Sequence, residues 1–188
     1  MSASHTTCFR AALIPVLASV LAFTAPVAHA QPKPVSYGDD YAHIVDLQGR
    51  YIFAQDFNDA DGYAAVFTED GVLDWAGGEI KGRDAIRKFK ADGVYNLSKN
   101  AENAAWPATT RHFITNTVVT VDGDTAKAWT YWFQANNNTA DRKSFYGLYG
   151  HYEDELRRVN GQWLFSRRAI YNEGVKGRAK AGTKNPVK

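Results

Sequence analysis

The hydrophobic periodicity of this chain changes once, near residue 110, and no other feature constrains the fold as strongly. Before this point, apolar residues recur at steps of three and four, which is typical of amphipathic helices. Beyond it, apolar and polar residues alternate through four successive segments, which is typical of strands with one buried face. Helices followed by a meander of strands predict an α+β fold, with about three N-terminal helices packed on a curved, mostly antiparallel sheet.

Helices are predicted over Tyr37–Asp56, over a short segment that Thr68–Gly71 closes, and over Arg83–Lys90. A short strand is expected over Gly71–Trp75, between the second and third helices. The segment from Gly93 to Thr109 has no apolar period and is predicted to be a loop.

Turn residues separate the four long strand segments. Asp122-Gly123-Asp124 and Asn160-Gly161 favour tight hairpins. The predicted strands are Arg111–Val121, Thr125–Ala135, Ser144–Val159 and Gln162–Asn172. Their order predicts an antiparallel meander that forms most of the sheet.

The first 30 residues have the pattern of a secretory signal peptide. Arg10 is the only charge, an apolar stretch follows it, and Ala28-His29-Ala30 precedes Gln31. We therefore expect export, to the periplasm or outside the cell, of a mature protein that begins near Gln31. Because Cys8 lies within this signal, the mature protein would have neither a disulfide nor a thiol nucleophile.

Charge and length limit the organisation and the partners of the mature chain. Lys and Arg number 22 against 20 Asp and Glu in the whole chain, or 21 against 20 without Arg10, a balance that gives no reason to expect nucleic acid as a partner. Outside the signal, no segment approaches the roughly 20 apolar residues of a membrane span, so no membrane insertion is expected. We expect one domain over 31–175 and a basic flexible tail over 176–188.

Asp56 and His112 are the candidate catalytic pair. Asp56 ends the first predicted helix, and His112 lies in the first strand of the meander. A carboxylate paired with an imidazole moves protons near neutral pH without a cofactor. Two alternatives stay open, namely that Asp56 is an exposed carboxylate at a helix end, where the dipole disfavours it, and that His112 is a core histidine.

Strand alternation and aromatic content indicate further pocket residues. His112, Ile114 and Asn116 share one predicted strand face, which makes Asn116 a candidate polar anchor for a substrate. Trp132 and Tyr131 belong to an aromatic-rich strand and are candidate walls for an apolar or aromatic ligand. Some rings of this strand must instead pack in the core or at a subunit interface.

Arg167 and Arg168 are neighbours in the last predicted strand and point to opposite faces. One of them is expected to enter the interior, and Arg168 is the candidate substrate-binding residue. The sequence alone leaves the choice between the two open.

No metal or cofactor is expected. Asp56, His112 and His151 lack a recognised short ligand spacing. The chain also contains no glycine-rich nucleotide-binding motif and no nucleophile elbow of serine hydrolases.

The order of motifs resembles the SnoaL-like family of the nuclear-transport-factor-2-like superfamily. The motifs that carry the resemblance are Tyr51–Asp56, Phe67–Gly71, Gly82–Ile86, Arg111-His112 with Asn116, Gly150–Asp154, and Gly161–Trp163 with Arg167 and Arg168. The resemblance covers most of the mature chain. It implies a cone-shaped α+β barrel of helices and a strongly bent sheet, and a homodimer or homotrimer formed through the outer sheet face.

Members of this family that carry Asp and His at the positions of Asp56 and His112 include a hexachlorocyclohexane dehydrochlorinase and a bile-acid dehydratase, which perform cofactor-free eliminations. Scytalone dehydratase and the diarylpropane lyases that release formaldehyde resemble the chain more distantly. In the bile-acid dehydratase a tyrosine five residues before the Asp also participates, and Tyr51 matches it. A core tyrosine is the alternative for Tyr51.

The resemblance thus implies a cofactor-independent lyase, of dehydratase or deformylase type, for a small hydrophobic, aromatic or polycyclic molecule. His112 would be the base, Asp56 would orient it and Tyr51 would be the acid. The alternatives are a double-bond isomerase and a non-catalytic protein that binds a small apolar ligand.

Overall fold

The computed structural model describes residues 36–93, 109–179 and 184–187, and within them the chain forms three helices and six strands. The helices are α1 (Tyr37–Asp56), α2 (Ala60–Ala65) and α3 (Arg83–Ala91). The strands are β1 (Phe67–Trp75), β2 (Gly78–Lys81), β3 (Thr110–Asp122), β4 (Thr125–Asn136), β5 (Phe145–Val159) and β6 (Gln162–Asn172). The predicted signal peptide, most of the predicted loop over 93–109 and part of the predicted tail lie outside the described residues.

All six strands belong to one sheet with the order β2-β1-β6-β5-β4-β3. Every neighbouring pair is antiparallel except β1 with β6, which is parallel. The α+β class, the three helices and the mostly antiparallel sheet are therefore confirmed. The expectation of a barrel is corrected, because β2 and β3 are unpaired edges within the described residues and the sheet is open.

The two predicted hairpins have the backbone that tight turns require. Asn160 and Gly161 have φ angles of 50° and 79° and join a directly paired Val159 and Gln162. Two successive residues with positive φ are typical of the type I′ turn, whose twist matches that of the flanking strands. Gly123, with φ of 57°, lies in the corresponding turn between β3 and β4.

The prediction that Thr68–Gly71 closes the second helix is wrong, because this segment is the first half of β1. Phe67 pairs with Phe165 of β6, and both rings are fully buried. The polar residues that look like a turn in the sequence instead form ion pairs. Glu69 pairs with Arg83, and Asp70 pairs with Arg157.

Helix α1 is anchored at its start and lies against β3 and β6. A capping box between Ser36 and Asp39 satisfies the first turn of the helix. Ile44 and Leu47 are fully buried on its inner face, and each such side chain contributes about 1.5–3 kcal/mol of hydrophobic free energy. This packing brings Asp56, the last residue of α1, beside β3.

Strand β3 contains a bulge that reverses which side chains face the core. The register with β4 shifts between Thr115 and Val118, and Asn116 has a φ of 54°. Beyond the bulge Val119 is buried, whereas Val118 is 41% exposed. The face that carries His112 therefore does not continue to Asn116, as simple alternation had predicted.

No helix in the described part of the chain combines the length and the apolar composition needed to cross a membrane.

Candidate active site

Asp56 and His112 lie together, as predicted. His112 donates two hydrogen bonds to the Asp56 carboxylate. The ring Nδ1 lies 2.5 Å from Asp56 Oδ1, and the backbone N–H of His112 donates to Asp56 Oδ2 at 2.7 Å. The side chain of Asp56 is only 4% exposed, against 15% for His112. Because a carboxylate only accepts, Nδ1 carries the proton and Nε2 is the nitrogen with a free lone pair.

Basic side chains support the C-terminal end of α1, where a carboxylate is electrostatically unfavourable. Lys90 Nζ donates to the Gln55 carbonyl oxygen at 2.8 Å, and Arg111 Nη1 lies 3.4 Å from the Asp56 carbonyl oxygen. These cations bind carbonyls that a helix end leaves without partners. Asp56 is therefore a buried, bonded residue rather than an exposed helix-end carboxylate.

His112 lines a cavity of about 310 Å³ between the helices and the inner face of the sheet. This volume is at the lower end of the range for small-molecule sites, roughly 300–1,000 Å³. Trp132 also lines it, with its ring stacked on Tyr152 at 5.9 Å and its Nε1 donating to the Tyr171 carbonyl oxygen. Other apolar residues of the lining include Leu73, Trp75, Phe89, Leu148 and Ile170.

Tyr51 lines the same cavity but is packed as a core residue as well. It is 2% exposed, and its hydroxyl lies 2.7 Å from the hydroxyl of Tyr63, which also lines the cavity. Burial raises the pKa of the Tyr51 hydroxyl, although the charge of Arg168 lowers it in part. Tyr51 is therefore a neutral hydrogen-bond donor at physiological pH.

Two predicted substrate-binding residues lie away from the cavity, and both assignments are corrected. Tyr131 is 58% exposed and stands on the outer face of the sheet, beside His151. Asn116 is exposed at the bulge of β3, where its side chain accepts a hydrogen bond from Thr115 Oγ1. Neither side chain lines the cavity, because alternation along β4 turns Tyr131 outwards and the bulge displaces Asn116.

Arg168 is the interior arginine of the pair, but it belongs to the core and does not line the cavity. Its side chain forms a fully buried ion pair with Asp154, 2.8 Å between Nη2 and Oδ2, and it also binds Gln48. Its Cζ lies 4.1 Å from the ring centroid of Tyr51. The prediction of a substrate-binding role is therefore wrong. Arg167 binds Asp74 and Glu79 instead.

Lys90 and Tyr63 are cavity residues that the sequence analysis did not select. Lys90 was only the last residue of the third predicted helix. A signal was present, because Lys90 follows the buried Ile86 by four residues and so shares its helix face. A lysine on an otherwise apolar inner face indicates a polar group that points into the interior.

The turn after β6 borders the cavity and extends into the region predicted as a flexible tail. Asn172 and Val175 line the cavity, and Arg178 donates to the carboxylate of Asp74 at 2.8 Å and to the carbonyl oxygen of Ile170. Ordered contacts thus continue to Arg178, beyond the predicted boundary at residue 176.

No cluster of three or more His, Cys, Asp or Glu side chains with the geometry of a metal site occurs over the described residues. His151 is buried on the other face of the sheet and contacts Glu153, 3.2 Å from Nε2 to Oε1. It is therefore not brought together with Asp56 and His112.

The family is identified by comparison with known proteins. Residues 37–169 match the model of the SnoaL-like domain, and the chain belongs to this family. The matched range spans α1 to most of β6 and includes both members of the Asp56–His112 pair. A comparison with curated protein sequences finds no significant match.

Solved structures with the same fold include several proteins of 22–28% identity. A Mycobacterium tuberculosis protein of unknown function is 28% identical, with 71% of each chain covered and a TM-score of 0.59. ActVI-ORFA from Streptomyces coelicolor is 22% identical over 73% of this chain and 98% of its own, with a TM-score of 0.63. A Catenulispora acidiphila protein in complex with S-DNPA is 24% identical over 73% and 96%, with a TM-score of 0.57.

Proposed function

We propose that the protein is a cofactor-independent lyase that eliminates water or a similar small group from a small, hydrophobic, ring-containing molecule. The observation that carries this proposal is the Asp56–His112 pair, whose imidazole faces an apolar cavity while its carboxylate is buried behind it. The SnoaL-like family includes polyketide cyclases and dehydratases, which favours a reaction of this type.

His112 is the proposed base. Its Nε2 takes a proton from a carbon of the substrate, and the electron pair of that C–H bond forms a new double bond as the bond to the leaving group breaks. Asp56 holds Nδ1–H and stabilises the imidazolium that forms, as the acid of a catalytic triad does. The apolar side chains of the lining lower the local polarity, which strengthens both interactions.

Tyr51 is the proposed acid. Its neutral hydroxyl donates a proton to the departing oxygen, which leaves as water, and the proton held by His112 then passes through solvent to restore the tyrosine. Tyr63, whose hydroxyl lies 2.7 Å from that of Tyr51, can donate a hydrogen bond to the transient tyrosinate and so stabilise its charge. Together with the charge of Arg168, this contact offsets only part of the burial that raises the pKa of Tyr51.

Two alternatives are favoured by particular observations. A double-bond isomerase needs a single base that returns the proton to another carbon, and His112 alone satisfies that need. A binding protein without chemistry needs only the cavity, and the Catenulispora acidiphila protein with the same fold was solved in complex with S-DNPA. In the binding protein, changes at His112 would leave ligand affinity nearly unchanged and no product would form.

We also propose that the protein is exported and self-associates. The expected signal over 1–30 favours an environmental substrate over an internal metabolite. The outer sheet face carries exposed rings, with Phe113 stacked on Phe133 at 5.1 Å and Tyr131 and Tyr149 both more than half exposed. Exposed apolar surface of this kind is typical of subunit interfaces, which supports a homodimer or homotrimer.

The test of the lyase is a pair of histidine substitutions assayed by mass spectrometry for product. His112→Gln should lower turnover by about 10²–10⁴-fold, the contribution typical of a positioned base. His43→Gln, at an exposed position of α1, is the control and should retain full turnover. Equal losses of folding and activity in His112→Gln would instead make His112 a structural residue, so circular dichroism and melting temperature are measured on both variants.

A further inference from the structure

Lys90 extends from α3 into the cavity that His112 lines, although nothing in the dyad chemistry uses it. The residue is only 8% exposed. Its Nζ donates to the Gln55 carbonyl oxygen at 2.8 Å and to Asn58 Oδ1 at 3.2 Å, both at the end of α1. Within the described residues it has no carboxylate partner at ion-pair distance.

A buried ammonium has three N–H donors and normally requires an acceptor for each. Two of the donors of Lys90 are used by the end of α1, which leaves one for a molecule in the cavity. The Asp56 carboxylate is the anion that acts on Lys90 from α1, but both of its oxygens accept hydrogen bonds from His112. The third donor therefore has no anionic acceptor among the described side chains.

We propose that Lys90 is an anion-binding residue that holds the oxygen of the substrate on which negative charge develops when His112 removes a proton. This inference rests on the proposed function and narrows its substrate class. The substrate would be a ring-containing carbonyl compound whose acidic C–H lies next to the carbonyl group, because only such a molecule converts loss of a proton from carbon into an oxyanion.

The proposed elimination takes place in two stages. In the first, the C–H bond breaks, its proton binds Nε2 of His112, and the electron pair moves through the carbonyl group onto oxygen, where Lys90 Nζ–H binds the enolate. In the second, the carbonyl group reforms, the electron pair of the enolate C=C bond forms a new double bond between the α- and β-carbons, and the bond from the β-carbon to the hydroxyl leaving group breaks. The hydroxyl leaves as water with a proton from Tyr51, as in the concerted case.

The electrostatics of the cavity fit this role. Burial lowers the pKa of Lys90 to about 8, while the Asp56 charge raises it in part, so the side chain is mainly cationic at neutral pH. Among the described residues, the other titratable groups that border the cavity are His112 of β3, Tyr63 of α2, Tyr51 of α1 and Tyr152 of β5. When His112 is neutral, the negative charge of Asp56 and the positive charge of Lys90 cancel. Once His112 has gained a proton, the site has a net positive charge that favours an enolate.

A purely structural lysine is the competing explanation, because its bond to Gln55 caps the carboxyl end of α1. The two explanations differ in what they predict for a bound anion. A capping lysine would affect the melting temperature and leave the affinity for an anion unchanged, whereas an anion-binding lysine controls which protonation state of a ligand is bound.

The test uses 4-nitrophenol, a planar ring whose anion is coloured and resembles an enolate, with wild type and the variants Lys90→Met and Lys90→Arg. Lys88→Met is the matched control, since Lys88 is exposed on the same helix and pairs with Asp92. Wild type should bind the phenolate in preference to the phenol, and Lys90→Met should weaken phenolate binding about 10–100-fold, as expected for a lost charge-assisted hydrogen bond. Lys90→Arg and Lys88→Met should retain it.

The pH dependence adds a second readout. Phenolate affinity of the wild type should fall as the pH rises through about 8, because Lys90 loses its proton, while Lys90→Arg should keep its affinity there. Phenolate binding that is equal in wild type and Lys90→Met, or absent from wild type, would overturn the anion site even if elimination is observed. Phenolate binding that depends on Lys90, in a protein that forms no product, would overturn the lyase and leave the anion site standing.

Discussion

Asp56 accepts hydrogen bonds from two different groups of His112, the ring Nδ1 at 2.5 Å and the backbone N–H at 2.7 Å. One helix residue therefore fixes both the main chain of β3 and the orientation of the imidazole. The carboxylate uses both of its oxygens for this purpose, and only 4% of its side chain is exposed. Precise placement of the imidazole thus depends on a single side chain from α1.

The tautomer of His112 is the first prediction. Because Asp56 can only accept, the ring proton should lie on Nδ1 and Nε2 should be unprotonated in the neutral imidazole. Nitrogen-15 NMR of histidine-labelled protein distinguishes the two ring nitrogens directly. A ring proton on Nε2 would contradict the proposed base, because that nitrogen would then have no lone pair for the substrate.

Asp56→Asn should lower turnover by more than the loss of a single hydrogen bond would. An amide has a single acceptor oxygen, so its NH₂ group must face one of the two N–H donors of His112. We expect turnover to fall by about 10²–10⁴-fold, as for loss of a positioned acid or base. The matched control is Asp61→Asn, at a position whose side chain is 77% exposed and pairs with Arg87. If the two variants retain equal turnover, the pair is not catalytic.

Arg168 should contribute to stability rather than to ligand affinity. Arg168→Ala leaves Asp154 as a buried carboxylate without its ion-pair partner, which typically costs about 3–5 kcal/mol of unfolding free energy. Urea denaturation measures this loss.

Tyr131→Ala, on the outer face, should leave both ligand affinity and turnover nearly unchanged. A strong loss of ligand affinity in Tyr131→Ala would show that this tyrosine contacts the ligand.

Lys90 should make stability depend on pH in the alkaline range. The pKa of Lys90 is about 8 in the folded protein, against 10.5 for the unfolded reference, so between these values the unfolded chain binds more protons and folding gains stability as the pH rises. Relative to Lys90→Met, wild type should gain about 1–2 kcal/mol between pH 7 and 10, less than the full desolvation effect because the group keeps some hydration. Urea midpoints measured at both pH values give the stability difference between wild type and Lys90→Met. A difference that is the same at pH 7 and pH 10 would contradict the lowered pKa of Lys90.

The exposed aromatic face should mediate self-association. Phe113, 47% exposed and stacked on Phe133, belongs to this face, so Phe113→Glu should shift the protein towards the monomer. Light scattering over a range of concentrations measures the change. Phe53→Glu, at a helix position that is 68% exposed, is the matched control. A wild type that is already monomeric would exclude the proposed homodimer or homotrimer.

The secondary structure was largely predictable because each long element has an unbroken apolar period. The predicted bounds of α1 and β6 agree with the structure, and those of β3, β4 and β5 agree to within one residue. The error in the direction of Asn116 comes from a bulge. An added residue in β3 shifts its register with β4 between Thr115 and Val118, and such a residue turns all later side chains to the other face.

The contact between Asp56 and His112 was predictable, but most of the rest of the cavity lining was not. Asp56 and His112 were selected because of their residue types and positions in recognisable motifs. Lys90 escaped selection because a lysine at a helix end normally lies in solvent, and its burial depends on contacts with Gln55 that are distant in the sequence. Arg168 was misassigned because its partner Asp154 belongs to another strand. The alternation of side chains along a strand predicts which face of the sheet a residue occupies, but not which residue it contacts.

Cofactor-free elimination by the Asp56–His112 pair is tested most directly by mass spectrometry of the chelator-treated protein with hydroxylated steroids, terpenoids and lignin-type aromatic dimers, beside Asp56→Asn. The account predicts a product lighter by water or formaldehyde with the wild type and none with the variant. Unchanged masses for every compound, together with compounds that raise the melting temperature of both proteins equally, would contradict the lyase and identify a binding protein.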